Sequence, residues 1–188
     1  MGIDESIVQL GAKLDAWWDE FSPMLDSKDR SAQGKVLLRG FELAKEFDHL
    51  KADGLAAITA LLNRHDATTE VERVASLVQA FAFAAKLAGT LHDEFRDMDG
   101  KTECARVMYN IANALHSIGA GQAALAGLLD DPDAGVRASA GVYLIEAMPE
   151  RVVPILREIE EKEAANSAHI TAYFALLRWE HEGKTPNA

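Results

Sequence analysis

The chain is predicted to be all-α, a stack of about nine helices, and three observations carry that prediction. Apolar residues recur at three- and four-residue spacing from Ile7 to Leu177, the signature of one face of a 3.6-residue period. Nowhere do Val, Ile and Thr alternate with polar residues long enough to mark a strand. And Gly121–Ala140, GQAALAGLLDDPDAGVRASA, spells out a helix, a tight acidic turn and the start of a second helix.

From the N-terminus, Asp4 to Phe21 forms the first predicted helix, with Ile7, Leu10, Leu14, Trp17 and Phe21 on its apolar face. Trp17 and Trp18 point about 100° apart on a helix, so only one occupies the stripe. Trp17 fits it, which leaves Trp18 at its edge among Asp15, Asp19 and Glu20, where it is a candidate anchor for a partner. A second helix follows from Ser31 to Leu50, ended by Asp53-Gly54, and Leu55–Asn63 makes a short third. Thr69 and Glu72 form a Thr-x-x-Glu capping box that opens a long fourth helix through Val74, Phe81, Ala85, Leu87 and Leu91. Gly89-Thr90 is a place to bend or break it, and Asp99-Gly100 a place to end it. Thr102 is then the expected cap of a fifth helix carrying Cys104, Val107, Met108, Ile111 and Leu115 inward.

In the Gly121–Ala140 stretch, Ala124, Leu125, Leu128 and Leu129 share one face, and Pro132 cannot continue their helix. Asp131 or Asp133 caps the next helix, which carries Val136, Ala140, Tyr143 and Leu144 and stops at Pro149. Val152 to about Glu163 is the eighth, with Val153, Ile155, Leu156 and Ile159 inside. Asn166 or Ser167 caps the ninth, with Ile170, Tyr173, Phe174, Leu177 and Trp179 inside, and Gly183 closes it ahead of a loose tail, 184–188. Gly54–Asp66 aligns without a gap on Gly121–Asp133, matching Gly, Ala-Ala, Leu-Leu and Asp, so an internal repeat is expected.

Leu128, Leu129, Asp131, Pro132, Val136, Arg137 and Ala140 resemble the HEAT and armadillo class of helical repeats. From about Thr102 to Gly183 the chain is similar to a small bacterial family of HEAT-like domains of unknown function, on Leu128–Asp133, Val136-Arg137, Ala140, Pro149-Glu150, Leu156, Ile159, Ala172, Leu176 and Gly183. The resemblance implies a HEAT/armadillo-like right-handed stack, an α-α superhelix in which Asp131 and Arg137 pair as structural residues. It implies one HEAT-like domain over 1–183, with two related units at about 35–100 and 102–165, an N-terminal helix and a C-terminal capping helix. Small proteins of this kind resemble immunity proteins, which bind and block toxins. Residues 1–50 find no counterpart in it.

Nineteen basic residues stand against thirty acidic ones, a net charge of −11. The excess is spread along the chain, eleven against eighteen over 1–100 and eight against twelve over 101–188. An acidic surface opposes binding to nucleic-acid phosphates and favours a basic protein partner. HEAT-like DNA glycosylases, which need a basic concave face, are disfavoured on the same ground. One cysteine, Cys104, precludes an intrachain disulfide and a multi-cysteine zinc site, and its place on an apolar face makes it a small buried hydrophobe. Asp4 and Glu5 oppose a secretion signal, no apolar run looks long enough for a bilayer, and the weak Met1-Gly2…Ser6 match to the myristoylation pattern has no polybasic support. The expected location is the cytoplasm, with no membrane and no nucleic acid as partner.

His65-Asp66 and His92-Asp93 are His-Asp doublets like those of metal-dependent phosphohydrolases, but His49 and His116, the other ligands to hand, occupy matching repeat positions. Glu46-x-x-His49 is one Glu-x-x-His step where a di-iron bundle needs two and two more glutamates. No Gly-rich phosphate loop or nucleophile elbow is present. No cofactor, no metal and no catalytic residue is therefore expected. The runners-up are a scaffold or adaptor for another cytoplasmic protein and a metal-dependent enzyme built on the His-Asp pairs. Of the acidic clusters, Glu158–Glu163 reads as a solvated face. Asp93, Glu94, Asp97 and Asp99 fall at the predicted C-terminal end of the long helix, where acids oppose the helix dipole. With Trp18 and Asp19 they form the candidate surface for a basic toxin domain.

Overall fold

In a computed structural model of the chain, the residues described are 30–63, 69–163 and 166–182, preceded by Lys13, Ala16, Asp19, Glu20 and Pro23. Among the described residues the protein is all-helical, with no strand. Seven α-helices run in order from Arg30: α1 (Arg30–Asn63), α2 (Glu70–Asp93), α3 (Met98–His116), α4 (Gly121–Gly127), α5 (Ala134–Leu144), α6 (Pro149–Lys162) and α7 (Ser167–Glu182). A single 3-10 turn, Leu128–Asp130, follows α4. The expected first helix lies largely outside the described residues. The expected second and third are one.

That merger corrects the break placed at Asp53-Gly54. A glycine inside a helix costs only about 1 kcal/mol relative to alanine, and Gly54 sits among Ala52, Leu55, Ala56 and Ala57 with no proline near, so α1 continues through it for 34 residues. The two copies of the expected internal repeat begin in different settings. Gly54 lies inside a long helix, whereas Gly121 opens a seven-residue one; the end of the first copy, 64–66, lies outside the described residues.

The chain divides into two compact units, 1–57 and 58–188, with the boundary inside α1. In the first, Leu43 is buried, Lys13 pairs with Glu46, and Arg39 pairs with Glu20 at 2.9 Å. Both pairs are exposed and add little stability.

In the second unit α2 is the hub, touching α3, α4, α5 and α7. Its capping box is present as expected: Thr69 Oγ1 accepts from the Glu72 amide and Glu72 accepts from the Thr69 amide. Val74, Phe81, Leu87 and Leu91 bury one stripe, and Ala80, Ala84, Ala85 and Ala88 let neighbouring helices approach closely. Gly89 and Thr90 do not break α2. It ends at Asp93, earlier than expected, and the chain reverses through 94–97. Arg96 there takes a left-handed φ of 55°, and the Asp97 amide returns to the Leu91 carbonyl at 2.8 Å.

By length and composition alone α2 is long and apolar enough to cross a membrane, with a mean hydropathy of 1.5. This corrects the expectation that no such segment exists. Within this unit Val74, Phe81, Leu87 and Leu91 are buried, Leu77, Val78 and Phe83 are half-buried and Val71 is exposed.

Two glycines mark close approaches. A Cβ on Gly121 would lie 2.0 Å from the Leu115 carbonyl oxygen, so the turn from α3 into α4 accepts no side chain there. A Cβ on Gly141 would lie 2.9 Å from Leu156 Cδ2, which shows how tightly α5 and α6 pack. The α5 cap is Asp133, whose carboxylate accepts from the Val136 amide at 3.0 Å. Arg137 stays local, as expected of a structural residue, but its partners differ from those implied. Its guanidinium donates to the carbonyls of Asp131 (2.8 Å) and Pro132 (2.9 Å), while the Asp131 carboxylate accepts from the Asp133 amide. In α7 the buried stripe is Ala168, Ala172, Ala175 and Leu176, and Tyr173 and Phe174 face outward. Of the expected stripe Ile170, Tyr173, Phe174, Leu177 and Trp179, Tyr173 and Phe174 are corrected to the outside while the other three are half-buried; the small residues are the ones that fit against α5 and α6.

Candidate functional site

The acidic residues singled out from sequence have separate structural fates. Asp93 ends α2 and reaches across 74 positions to the start of α7. Its Oδ1 accepts from the Ser167 amide and its Oδ2 from the Ser167 hydroxyl, both at 2.8 Å, while His92 Nδ1 donates to Oδ1 at 2.7 Å. Asn166 adds the usual cap, accepting from the His169 amide at 3.0 Å. A carboxylate at a helix N-terminus is favoured by both the dipole and the unpaired amides. Asp97 is the N-cap of α3, accepting from Gly100 at 3.0 Å, and Asp99 lies in the first turn of that helix. Thr102, the expected cap, instead donates to the Met98 carbonyl within the helix. Because α2 stops at Asp93 and α3 starts at Met98, Asp97 and Asp99 sit at the favourable end of a helix rather than the unfavourable end of the one before it. Glu94 is exposed. Asp19 is exposed in the first unit, and Trp18 lies outside the described residues.

Two adjacent depressions flank the shared wall formed by Ala85, Gly89, Gly135 and Ser167. One is polar, about 290 Å³, and brings Asp93 and Glu94 together with Asp133, Glu163 and Asn166; Lys86 is its one basic lining residue. It unites two residues of the expected surface with two carboxylates from elsewhere in the sequence, and leaves Asp97 and Asp99 out of its lining.

The other is apolar, about 210 Å³, and runs over α2 between α3 and the α5–α7 pair. Ala88, Ala105, Met108 and Val142 line it, with Lys101, Ser139, Tyr143 and Thr171 as its polar side chains. Tyr143 is held edge-on against the fully buried Phe81, with ring centroids 5.7 Å apart. Burial raises the Tyr143 phenol above its ordinary pKa, with Tyr109 adding to the rise and Arg178 opposing it. Burial also lowers the pKa of Lys101, against an opposing pull from Asp93. Helical spacing extends both walls: Tyr109 continues the row of Lys101 and Ala105, and Phe174 and Arg178 continue that of Ser167 and Thr171. Tyr109 and Phe174 are both more than half exposed, at 57% and 60%.

Sequence reasoning missed this groove because alanines and glycines carry no signal of their own. The one available clue was Lys101, a cation four residues before Ala105 on an otherwise apolar face. Among the described residues no three His, Cys, Asp or Glu side chains converge as metal ligands; His65 and Asp66 lie outside them. His49 and His116 are both exposed, and His116 Nδ1 bonds to the Ala112 carbonyl. Cys104 is fully buried, as a small core hydrophobe is expected to be. Comparison with known proteins returns no matching family model, curated protein or solved structure.

Proposed function

We propose that this chain is a non-enzymatic binding protein, an immunity or antitoxin protein of HEAT/armadillo-like right-handed architecture that neutralises a cognate bacterial toxin in the cytoplasm. The observation that carries this reading is the polar pocket, where Asp93, Glu94, Asp133 and Glu163 meet at one end of the helical unit of a chain with net charge −11. Such a depression suits a lysine or arginine side chain from a basic surface. Excess acid steers the encounter, and the fixed carboxylates set orientation. Asp93 and Asp133 are held by helix amides, so the pocket is preorganised and loses little entropy on binding. Glu94 provides the exposed charge, and Glu163, half-buried, accepts from the Asn166 side-chain amide at 3.0 Å; Trp18 and Asp19 are further proposed contacts in the first unit.

The test is calorimetric titration of the full chain with the purified product of the adjacent gene, alongside rescue of cells expressing that product. Saturable binding that weakens about tenfold or more in Glu94→Gln/Glu163→Gln, with loss of rescue, supports the proposal. No binding and no rescue by the wild-type chain overturns it.

A further inference from the structure

Among the described residues, the apolar groove holds a lysine with no directly paired carboxylate. The Lys101 side chain lines a depression whose other walls are mostly alanine, methionine and valine, and among the described residues no carboxylate comes within 4.0 Å of its ammonium group. Asp93 is near enough to act on it electrostatically, but both oxygens of that carboxylate are already engaged by Ser167 and one of them also by His92. Partly desolvated cations in apolar surroundings are costly unless paired, and the lowered pKa of this lysine reflects that cost. In a protein with thirty acidic residues, an unanswered lysine above an apolar floor marks a place for an anion.

We propose that this groove binds a small amphipathic monocarboxylate, its carboxylate on Lys101 and its hydrocarbon body along Ala105, Met108 and Val142 toward Tyr143. Three features select that class. The 210 Å³ volume accommodates a fragment of fatty-acid or arylalkanoate size. The lining is apolar apart from one cation and the hydroxyls of Ser139, Ser167, Thr171 and Tyr143, the pattern of few convergent polar groups on an apolar wall that defines small-molecule sites. And a single lysine offers one positive charge, which matches a monoanion and would leave a phosphate monoester or dicarboxylate with excess charge facing Asp93. The site is separate from the acidic pocket and serves a ligand of opposite sign, so it does not depend on the toxin-binding reading.

Octanoate titrated into the ¹⁵N-labelled full chain tests it, with 1-octanol and octylammonium as neutral and cationic controls. Saturable shifts at the Lys101, Ala105, Gly135 and Thr171 amides are expected, with octanoate bound about tenfold more tightly than octanol. Lys101→Met is expected to lose about tenfold in octanoate affinity while leaving octanol unchanged, and Lys101→Arg to retain binding. Ala105 is exposed on α3, so Ala105→Leu folds while filling the groove, and is expected to abolish saturable shifts for both ligands. Absence of saturable octanoate shifts in the wild type, equal affinity for octanol, or full octanoate affinity in a folded Lys101→Met chain overturns the proposal.

Discussion

The acidic pocket and the cationic groove share the wall formed by Ala85, Gly89, Gly135 and Ser167, yet they treat charge in opposite ways. On the acidic side, the charges nearest the wall are engaged by the fold. Asp93 holds the first turn of α7 and Asp133 the first turn of α5, so each carboxylate meets amides that would otherwise lack partners. On the groove side, Lys101 faces alanine and methionine; among the described residues no carboxylate forms an ion pair with it, and Asp93 acts on it only at longer range. The difference teaches that formal charge does not identify a working residue. A charge satisfied by backbone amides belongs first to the scaffold, and a charge that the scaffold leaves unsatisfied is open to a ligand.

The sharpest way to break this comparison is to loosen the packing behind it. Phe81 is fully buried and supports Tyr143, so Phe81→Ala is expected to cost about 3–5 kcal/mol, read by urea denaturation, and to weaken octanoate binding in whatever fraction stays folded. Next in size is Gly89→Leu, on the shared wall. A Cβ at Gly89 already lies 3.3 Å from Ser167 Oγ, so the longer side chain must displace the hydroxyl that Asp93 holds. A loss of about 1–3 kcal/mol and disturbance of both depressions in the same variant are expected. Glu94→Gln sharpens the comparison from the other side. Glu94 closes α2 through its backbone amide, which the substitution keeps, and its side chain is exposed, so the substitution is expected to change stability by less than about 0.5 kcal/mol while reducing affinity for a basic partner.

The smallest effect concerns pH. Lys101 has a folded-state pKa below its unfolded value of 10.5, so the unfolded chain binds the proton more tightly. Its charge therefore opposes folding at neutral pH. That opposition fades as pH rises through the folded pKa toward 10.5. The wild-type deficit relative to Lys101→Met is expected to shrink over that alkaline window, measured by urea midpoints of the two proteins at matched pH.

Much of the helical plan was legible from local chemistry. The Thr69–Glu72 capping box, Pro132 with Asp133, and Asn166 ahead of α7 each act at short range, where a few residues decide the backbone. Glycine misled in α1, because Gly54 tolerates a break without requiring one and its neighbours favour helix. Residue size misled in α7, where the larger side chains, Tyr173 and Phe174, look like core residues but the alanines fill the narrow space beside α5 and α6. The acidic cluster was visible, but its role was not. That Asp93 caps a helix beginning at Ser167 is a contact between residues 74 positions apart, and no periodicity encodes it. Lys101 could be seen in the sequence as a cation on an apolar face, but the groove it lines could not, since it exists only once α5 and α7 stand opposite α3.

Asp93 and Lys101 therefore carry the central claim between them, and urea unfolding of Asp93→Ala and Lys101→Met, run side by side at neutral pH, tests it most directly. Removing Asp93 strips the Ser167 amide and hydroxyl of their acceptor, and a loss of about 1–2 kcal/mol is expected. Removing the Lys101 charge is expected to cost nothing or to raise stability slightly. An Asp93→Ala chain as stable as wild type, or a Lys101→Met chain destabilised as much as Asp93→Ala, would contradict the account.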